Sequence, residues 1–155
     1  MFFPLLSTIT FKNFPVSLFC SFCTIPLARG KSRSGSISQT IEKAKEIGRS
    51  EVKEVVLTGI NLGDFGYGTN ENLFQLIKEL DQLNGIYRYR ISSIEPDLLS
   101  EEIIQFVNSS NKFVPHFHIP LQSGSDYLLK KMRRKYDTDL YCSRIRLIKK
   151  LMPHA

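Results

Sequence analysis

The residues best suited to chemistry lie in FCSFCTIPLARGKSRS, which begins at Phe19. Cys20 and Cys23 stand in a C-x-x-C spacing, with Arg29, Lys31 and Arg33 following. Thiols so spaced serve a redox couple, half of a zinc site or part of an iron–sulfur site. A thioredoxin-like pair opens a helix whose N-terminus stabilises the first thiolate, and Pro26 and Gly30 argue against a helix here. A zinc site needs a second pair; Cys142 is alone, and His116, His118 and His154 show no matching spacing. An iron–sulfur site needs at least one more thiolate nearby. On these residues alone the three readings stay open, as does a pair of cysteines without a chemical role.

Other candidates sit in loops. TGINLGDFG (58–66), SSIEPD (92–97) and IPLQSGSD (119–126) are rich in glycine, hydroxyl, amide and acidic residues. Small residues let a ligand approach the backbone, and hydroxyls and amides supply directed hydrogen bonds. Exposed loops are polar for the plainer reason of solvation, and the pattern alone does not choose between the two. Glu95 falls at a strand end, a suitable place for a functional acid or for a turn with Pro96. His116 and His118 alternate, so within a strand they face one side; buried histidines satisfied by carbonyls are the favoured reading over ligands. KKMRRKY (130–136) is a solvated helix face or a site for phosphate or carboxylate.

The elements that must position these residues alternate. Ile37, Ile41, Ala44 and Gly48 share a helical face over 37–48, with Ser36 or Ser38 as cap. EVVLTG (54–59) is a β-branched run ending in glycine, hence a buried strand. Leu73, Leu76, Ile77 and Leu80 predict a helix over 71–82, and IYRYRISS (86–93) predicts a strand. Leu99, Ile103, Phe106 and Val107 line a helix after Pro96. KFVPHFHIP (112–120) predicts a further strand, weakened by Pro115. Helices over about 125–134 and 138–151 close the chain. Strands alternating with helices imply an α/β fold with a parallel sheet and right-handed crossovers. Its ligands belong beyond the carboxyl ends of the strands, where the three polar loops lie. A complete barrel of this kind takes about 250 residues, so the expectation for 155 residues is part of one.

Composition bounds the rest. Hydrophobic content of 42% and charged content of 23% suit one globular domain. The net charge of +6 permits a polyanionic partner, RNA or DNA above all. Three cysteines do not make a secreted disulfide framework, so a reducing cytoplasm is expected. The apolar start, MFFPLLSTITFKNFPVSLFC, has no basic residue ahead of it, is broken by Lys12, and suits neither a signal peptide nor a membrane span.

Four segments together, CSFCTIPLARGKSRS, VVLTGINLGDFG, RISSIEP and HIPLQSGSDYLLKKMRRKY, resemble the radical S-adenosylmethionine methylthiotransferases in order and spacing. The branch most similar adds a methylthio group to N6-threonylcarbamoyladenosine at position 37 of tRNA. The resemblance covers residues 19–152. It implies a partial (β/α) radical SAM barrel with a 4Fe-4S cluster held by three cysteines in C-x-x-x-C-x-x-C. The open iron binds the amino and carboxylate groups of S-adenosylmethionine, whose cleavage gives a 5′-deoxyadenosyl radical. A second cluster in an N-terminal domain accompanies sulfur insertion, and a C-terminal domain helps bind tRNA.

Carried over by position, Cys20 and Cys23 are the second and third cluster ligands, and the first falls on Val16. Thr58, Gly59 and Asn61 match the segment that supports the methionine end of the cofactor. Glu95, Gln122 and Ser123 lie in segments near it, and Arg133 or Arg134 pairs with its carboxylate. Cys142 matches no ligand position. The expectation is a radical SAM core over 19–155, truncated at both ends, behind a divergent or unrelated segment over 1–18 left by disruption of the reading frame or the gene. Such a fragment is expected to be inactive alone. The expected partners are tRNA and a sulfur donor, with no membrane. The alternatives are a non-catalytic basic fragment that binds RNA through its 130–150 face, and the sister class that modifies a ribosomal protein.

Overall fold

The computed structural model describes residues 6–10, 20–24 and 35–155. Three parallel strands, β1 (Leu6–Thr10), β2 (Glu54–Thr58) and β3 (Arg88–Ile91), lie side by side in chain order. Helices α1 (Ile37–Gly48) and α2 (Leu73–Asp81) fall between them, and α3 (Glu101–Ser109), α4 (Asp126–Lys131) and α5 (Thr138–Leu151) follow.

Every helix but α4 starts where a side chain accepts an orphan N–H. Ser36 accepts from Gln39 N while the Gln39 amide accepts from Ser36 N, both at 3.2 Å. Asn72 and Gln75 make the same reciprocal pair at 2.9 Å. Ser100 and Asp137 cap α3 and α5. Caps of this kind contribute about 1 kcal/mol each.

Register decides which strand residues enter the core. Ser7, Ile9, Val55, Leu57, Tyr89 and Ile91 fall on one face, because Ser7 pairs with Val55 and Val55 with Tyr89. Apart from half-buried Ser7, these are buried in one apolar cluster with Ala44 of α1, Leu76, Ile77 and Leu80 of α2, and Ile103, Ile104 and Val107 of α3. The other face carries Thr8, Glu54, Val56, Arg88 and Arg90. Burying a Leu or Ile side chain contributes about 1.5–3 kcal/mol, so the helices hold to the first face.

Two expectations change. Residues 1–18 carry no predicted element, yet Leu6–Thr10 pairs with β2 along its whole length. The strand expected over 112–120 shrinks to one bridge, Phe113 to Tyr89, held by Tyr89 N to Lys112 O (2.8 Å) and Val114 N to Tyr89 O (3.0 Å). Pro115 has no N–H to continue the ladder. Phe113 still anchors the segment, stacked on Tyr89 at 5.1 Å and edge-on to Phe106 at 5.7 Å. The Lys112 ammonium donates to the carbonyls of Asp81 and Leu83, both at 2.6 Å, and so closes the end of α2.

Candidate functional site

The segments that leave the carboxyl edge of the sheet are sewn together by hydrogen bonds. Leu62 N donates to Ser93 O at 2.8 Å, and Ser93 Oγ to Ile60 O at 3.1 Å. Glu95 N donates to Asn61 Oδ1 at 3.3 Å, and Ile94 N to His118 O at 3.1 Å. The loops after β2 and β3 and the segment around His118 therefore form one wall. Gly66 (φ +78°) turns the first loop back, and a β-carbon there would strike Glu71 O.

The segment after α4 closes the wall. The basic run is helical only to Lys131. Arg133 takes a left-handed conformation (φ 60°) and is exposed, while the next residue is largely buried. Arg134 Nη1 meets Glu95 Oε1 at 2.9 Å, with both side chains more than nine-tenths buried. Two residues on, the Tyr136 hydroxyl reaches Leu121 O at 2.9 Å and Pro120 O at 3.1 Å, fixing the third polar loop. Burial pushes the Tyr136 phenol up to about 12, and the Glu95 charge adds to it, so the hydroxyl keeps its proton as donor.

Together these segments enclose a pocket of about 400 Å³. Cys20 and Cys23 line it from one side; Asn61, Glu95, Gln122 and Arg134 line it from the wall. All six are expected from the sequence. Thr58 and Gly59 are half-buried at the end of β2 and do not line it. Ser123 supports the loop instead, its hydroxyl accepting from Ser125 N at 3.1 Å. Arg133 lies outside. Among residues not singled out beforehand, Phe22 and Ser93 also line the pocket; both sit inside quoted motifs, the one signal that could have found them. Of the two histidines only His118 reaches the pocket, because the segment carrying them is not a strand. Burial and nearby Arg90 push His116 below its ordinary value.

Backbone strain gathers at the same place. Ser93 (φ 57°), Gln122 (φ 65°) and Arg133 are the three non-glycine residues with positive φ among the described residues. Two line the pocket and the third precedes Arg134. Such conformations cost about 1–3 kcal/mol each and persist where surrounding structure imposes them.

The polar inventory is incomplete in a telling way. Six buried side-chain atoms have no hydrogen-bond partner among the described residues, on Tyr89, Asp97, Arg144 and three pocket residues: Asn61 Nδ2, Glu95 Oε2 and Arg134 Nε. Of the pocket three, two are donors and one an acceptor. Burial pushes the Glu95 carboxyl up despite Arg134 beside it. Asp97 is also raised, chiefly by burial. Burial likewise raises the Cys20 thiol, against the pull of Arg134. Cys20 and Cys23 are free thiols in one turn, with Cys23 N donating to Cys20 O at 3.1 Å. No group of three or more His, Cys, Asp or Glu residues is placed to hold a metal ion among the described residues.

Comparison with known proteins places this geometry. The family model described as "Radical SAM superfamily" matches residues 17–154. The threonylcarbamoyladenosine tRNA methylthiotransferase MtaB of Bacillus subtilis (strain 168) is 43% identical over 137 residues, 87% of this chain and 30% of the relative. The tRNA-2-methylthio-N(6)-dimethylallyladenosine synthase of Pelotomaculum thermopropionicum is 35% identical over 139 residues, 88% of this chain and 31% of the relative. This chain thus spans about a third or less of the curated relatives it matches. Among solved structures, the radical S-adenosylmethionine methyltransferase TsrM from Kitasatospora setae, with cobalamin and a [4Fe-4S] cluster bound, superposes with a TM-score of 0.71. At 15% identity, over 94% of this chain and 29% of that one, it shows the fold alone: a parallel α/β sheet that is part of a barrel, open among the described residues.

Proposed function

We propose that this chain, which belongs to the radical SAM superfamily, is the S-adenosylmethionine-binding core of a tRNA methylthiotransferase acting on threonylcarbamoyladenosine. One observation carries the first half of this reading. Asn61 Nδ2, Arg134 Nε and Glu95 Oε2, buried and unpartnered, belong to one pocket. A ligand that satisfies two donors and one acceptor has a carboxylate and an ammonium, the amino-acid end of S-adenosylmethionine. Buried polar groups are as a rule hydrogen-bonded, and three of the six unpartnered buried atoms among the described residues belong to residues of this pocket, which supports a binding role there. Asn61 and Arg134 would hold the carboxylate, and Glu95 the ammonium.

The family's cofactors are a 4Fe-4S cluster and S-adenosylmethionine. The wall fits the second. The donor set does not complete the first: Cys20 and Cys23 supply two thiols, and the position four residues before Cys20 is Val16. With a reduced cluster, S-adenosylmethionine supplies hydrogen-atom abstraction. Everything else here falls to the chain's own groups, which bind the amino-acid end and exclude water from around it. This agrees with a chain inactive by itself.

The second half rests on the relatives, the first of them an enzyme of threonylcarbamoyladenosine in tRNA. tRNA as partner suits the exposed Lys130, Lys131, Arg133 and Lys135 beside the pocket. No helix among the described residues is long and apolar enough to cross a membrane; a cytoplasmic site and a sulfur donor belong to the same reading. The test is a graft. Residues 19–155 replace the matching segment of the Bacillus relative, which contributes its own residues ahead of Cys20. tRNA nucleosides from a strain lacking that enzyme are then read by mass spectrometry. The reading predicts methylthiolated threonylcarbamoyladenosine. Unmodified nucleoside from a chimera that accumulates normally contradicts it.

A further inference from the structure

Helix α4 runs between two residues of the pocket, with Gln122 ahead of it and Arg134 after it. Its inner side is the buried Leu129, whose carbonyl accepts from Arg134 N at 2.9 Å. Asp126 at its start accepts from Thr138 N at 2.8 Å, which ties it to α5. Its outer side carries Tyr127, 65% exposed, and Leu128, 47% exposed. Lys131, one turn on, holds its ammonium over the Tyr127 ring, 4.7 Å from the centroid. Lys130, Lys131 and Arg133 are exposed, and none is in an ion pair with a described residue.

A second tyrosine supplies the contrast. Lys53 lies over the Tyr87 ring at the same 4.7 Å, and Tyr87 is 64% exposed. It stands just before β3, at the amino edge of the sheet, and its neighbour Arg88 is answered by Glu54. A lysine on an exposed tyrosine is therefore, by itself, an ordinary surface contact. The α4 pair differs in lying beside the pocket and in the unanswered cations around it.

We infer that Tyr127 is a stacking platform for an unpaired base of RNA, with Lys130 and Lys131 beside it for the phosphates. The inference rests on the tRNA reading above and adds which part of the RNA is held and by which side chain. A nucleoside that enters a pocket must leave its stack, and the bases next to it lose a neighbour. An exposed aromatic ring beside the pocket replaces that neighbour, and it serves any base because every base has a π-face. With Lys131 over one face of the ring, the base takes the other. Its phosphate then lies near the lysines, where charge adds a term that salt weakens. The ring stands on a helix tied at both ends, so little ordering is left to the moment of binding.

The experiment uses the full chain and fluorescence anisotropy of labelled RNA. Two probes are compared, a hairpin with an unpaired loop and the same hairpin with an abasic loop. The loop is expected to bind about fivefold or more tightly than its abasic form, the lower end of what base–aromatic stacking gives. Tyr127→Ala should remove that difference, Tyr127→Phe should keep it, and Tyr87→Ala should leave it unchanged. All three substitutions are at exposed positions. Tyr127→Ala should not alter the slope of log affinity against log salt, whereas Lys130→Gln and Lys131→Gln should each flatten it by about 0.7. Equal affinity for both hairpins, or equal losses at Tyr127 and Tyr87, overturns the inference. So does binding that depends on salt and ignores Tyr127→Ala, which is charge alone and leaves the proposed function standing. No binding of either hairpin at low salt also overturns it. The graft experiment reads modified nucleosides rather than binding to this chain, so it decides the proposed function separately.

Discussion

Two buried glutamates, at opposite ends of the sheet, meet arginine in different ways. Glu54 opens β2, and both its oxygens are paired, Oε1 with Arg90 and Oε2 with Arg88, each at 2.9 Å. Its arginines are substantially exposed, 49% and 34% of their side chains, and so open to water. Glu95 has one oxygen on Arg134 and the other buried without a partner, and Arg134 keeps a buried N–H unpaired. The first arrangement is finished by the fold. The second is left unfinished among the described residues, beside the pocket. The residue types match, so composition does not separate the two pairs; they differ in their unsatisfied atoms and in that only the second lines the pocket.

The largest expected effect comes from breaking the unfinished pair. Arg134→Met leaves a buried carboxylate alone and should cost about 3–5 kcal/mol near pH 8, with loss of S-adenosylhomocysteine binding. Urea denaturation and calorimetry measure both. Because burial raises Glu95, the carboxyl takes up a proton as pH falls, and the cost should shrink toward pH 5.

Next, Glu95→Gln should cost about 2 kcal/mol near neutrality and change the pH dependence. Glu95 and Asp97 hold protons more tightly folded than unfolded. Their contributions to stability are full below the ordinary values, 4.5 for Glu95 and 3.8 for Asp97, and are lost as pH rises through the raised folded values. The substitution removes the Glu95 share of that slope. An unchanged slope in the denaturation midpoint between pH 4.5 and 7 would mean that Glu95 is not raised.

The smallest effect is expected at the finished pair. Glu54→Gln leaves two arginines that water can reach and should cost about 1 kcal/mol, with ligand affinity unchanged. A large loss of affinity there would erase the distinction between the two glutamates.

How far this was legible in the sequence follows from which interactions are local. Helix α1 lies over 37–48 as its spacing predicts, because Ser36, Gln39 and Ala44 settle cap and face within one segment. The three polar loops were legible because parallel topology alone assigns them to one edge. Strand β1 escaped because nothing in LSTIT distinguishes it from the apolar run around it until β2 lies alongside. The choice between Arg133 and Arg134 was not legible either. Arg133 has a left-handed backbone and is exposed, while Arg134 lines the pocket, and neither local spacing nor charge distinguishes them. The strand expected over 112–120 failed at Pro115, whose missing donor outweighs the alternation around it.

The most direct test is to titrate the 15N-labelled chain with S-adenosylmethionine and follow its amide, Asn61 side-chain and Arg134 Nε resonances. Binding in the polar wall predicts shifts confined to 58–66, 92–97, 118–124 and 133–136, with the Asn61 and Arg134 side-chain signals among the largest, and silence around Glu54. Shifts that leave Asn61 and Arg134 unmoved, or none at saturating ligand, would contradict it.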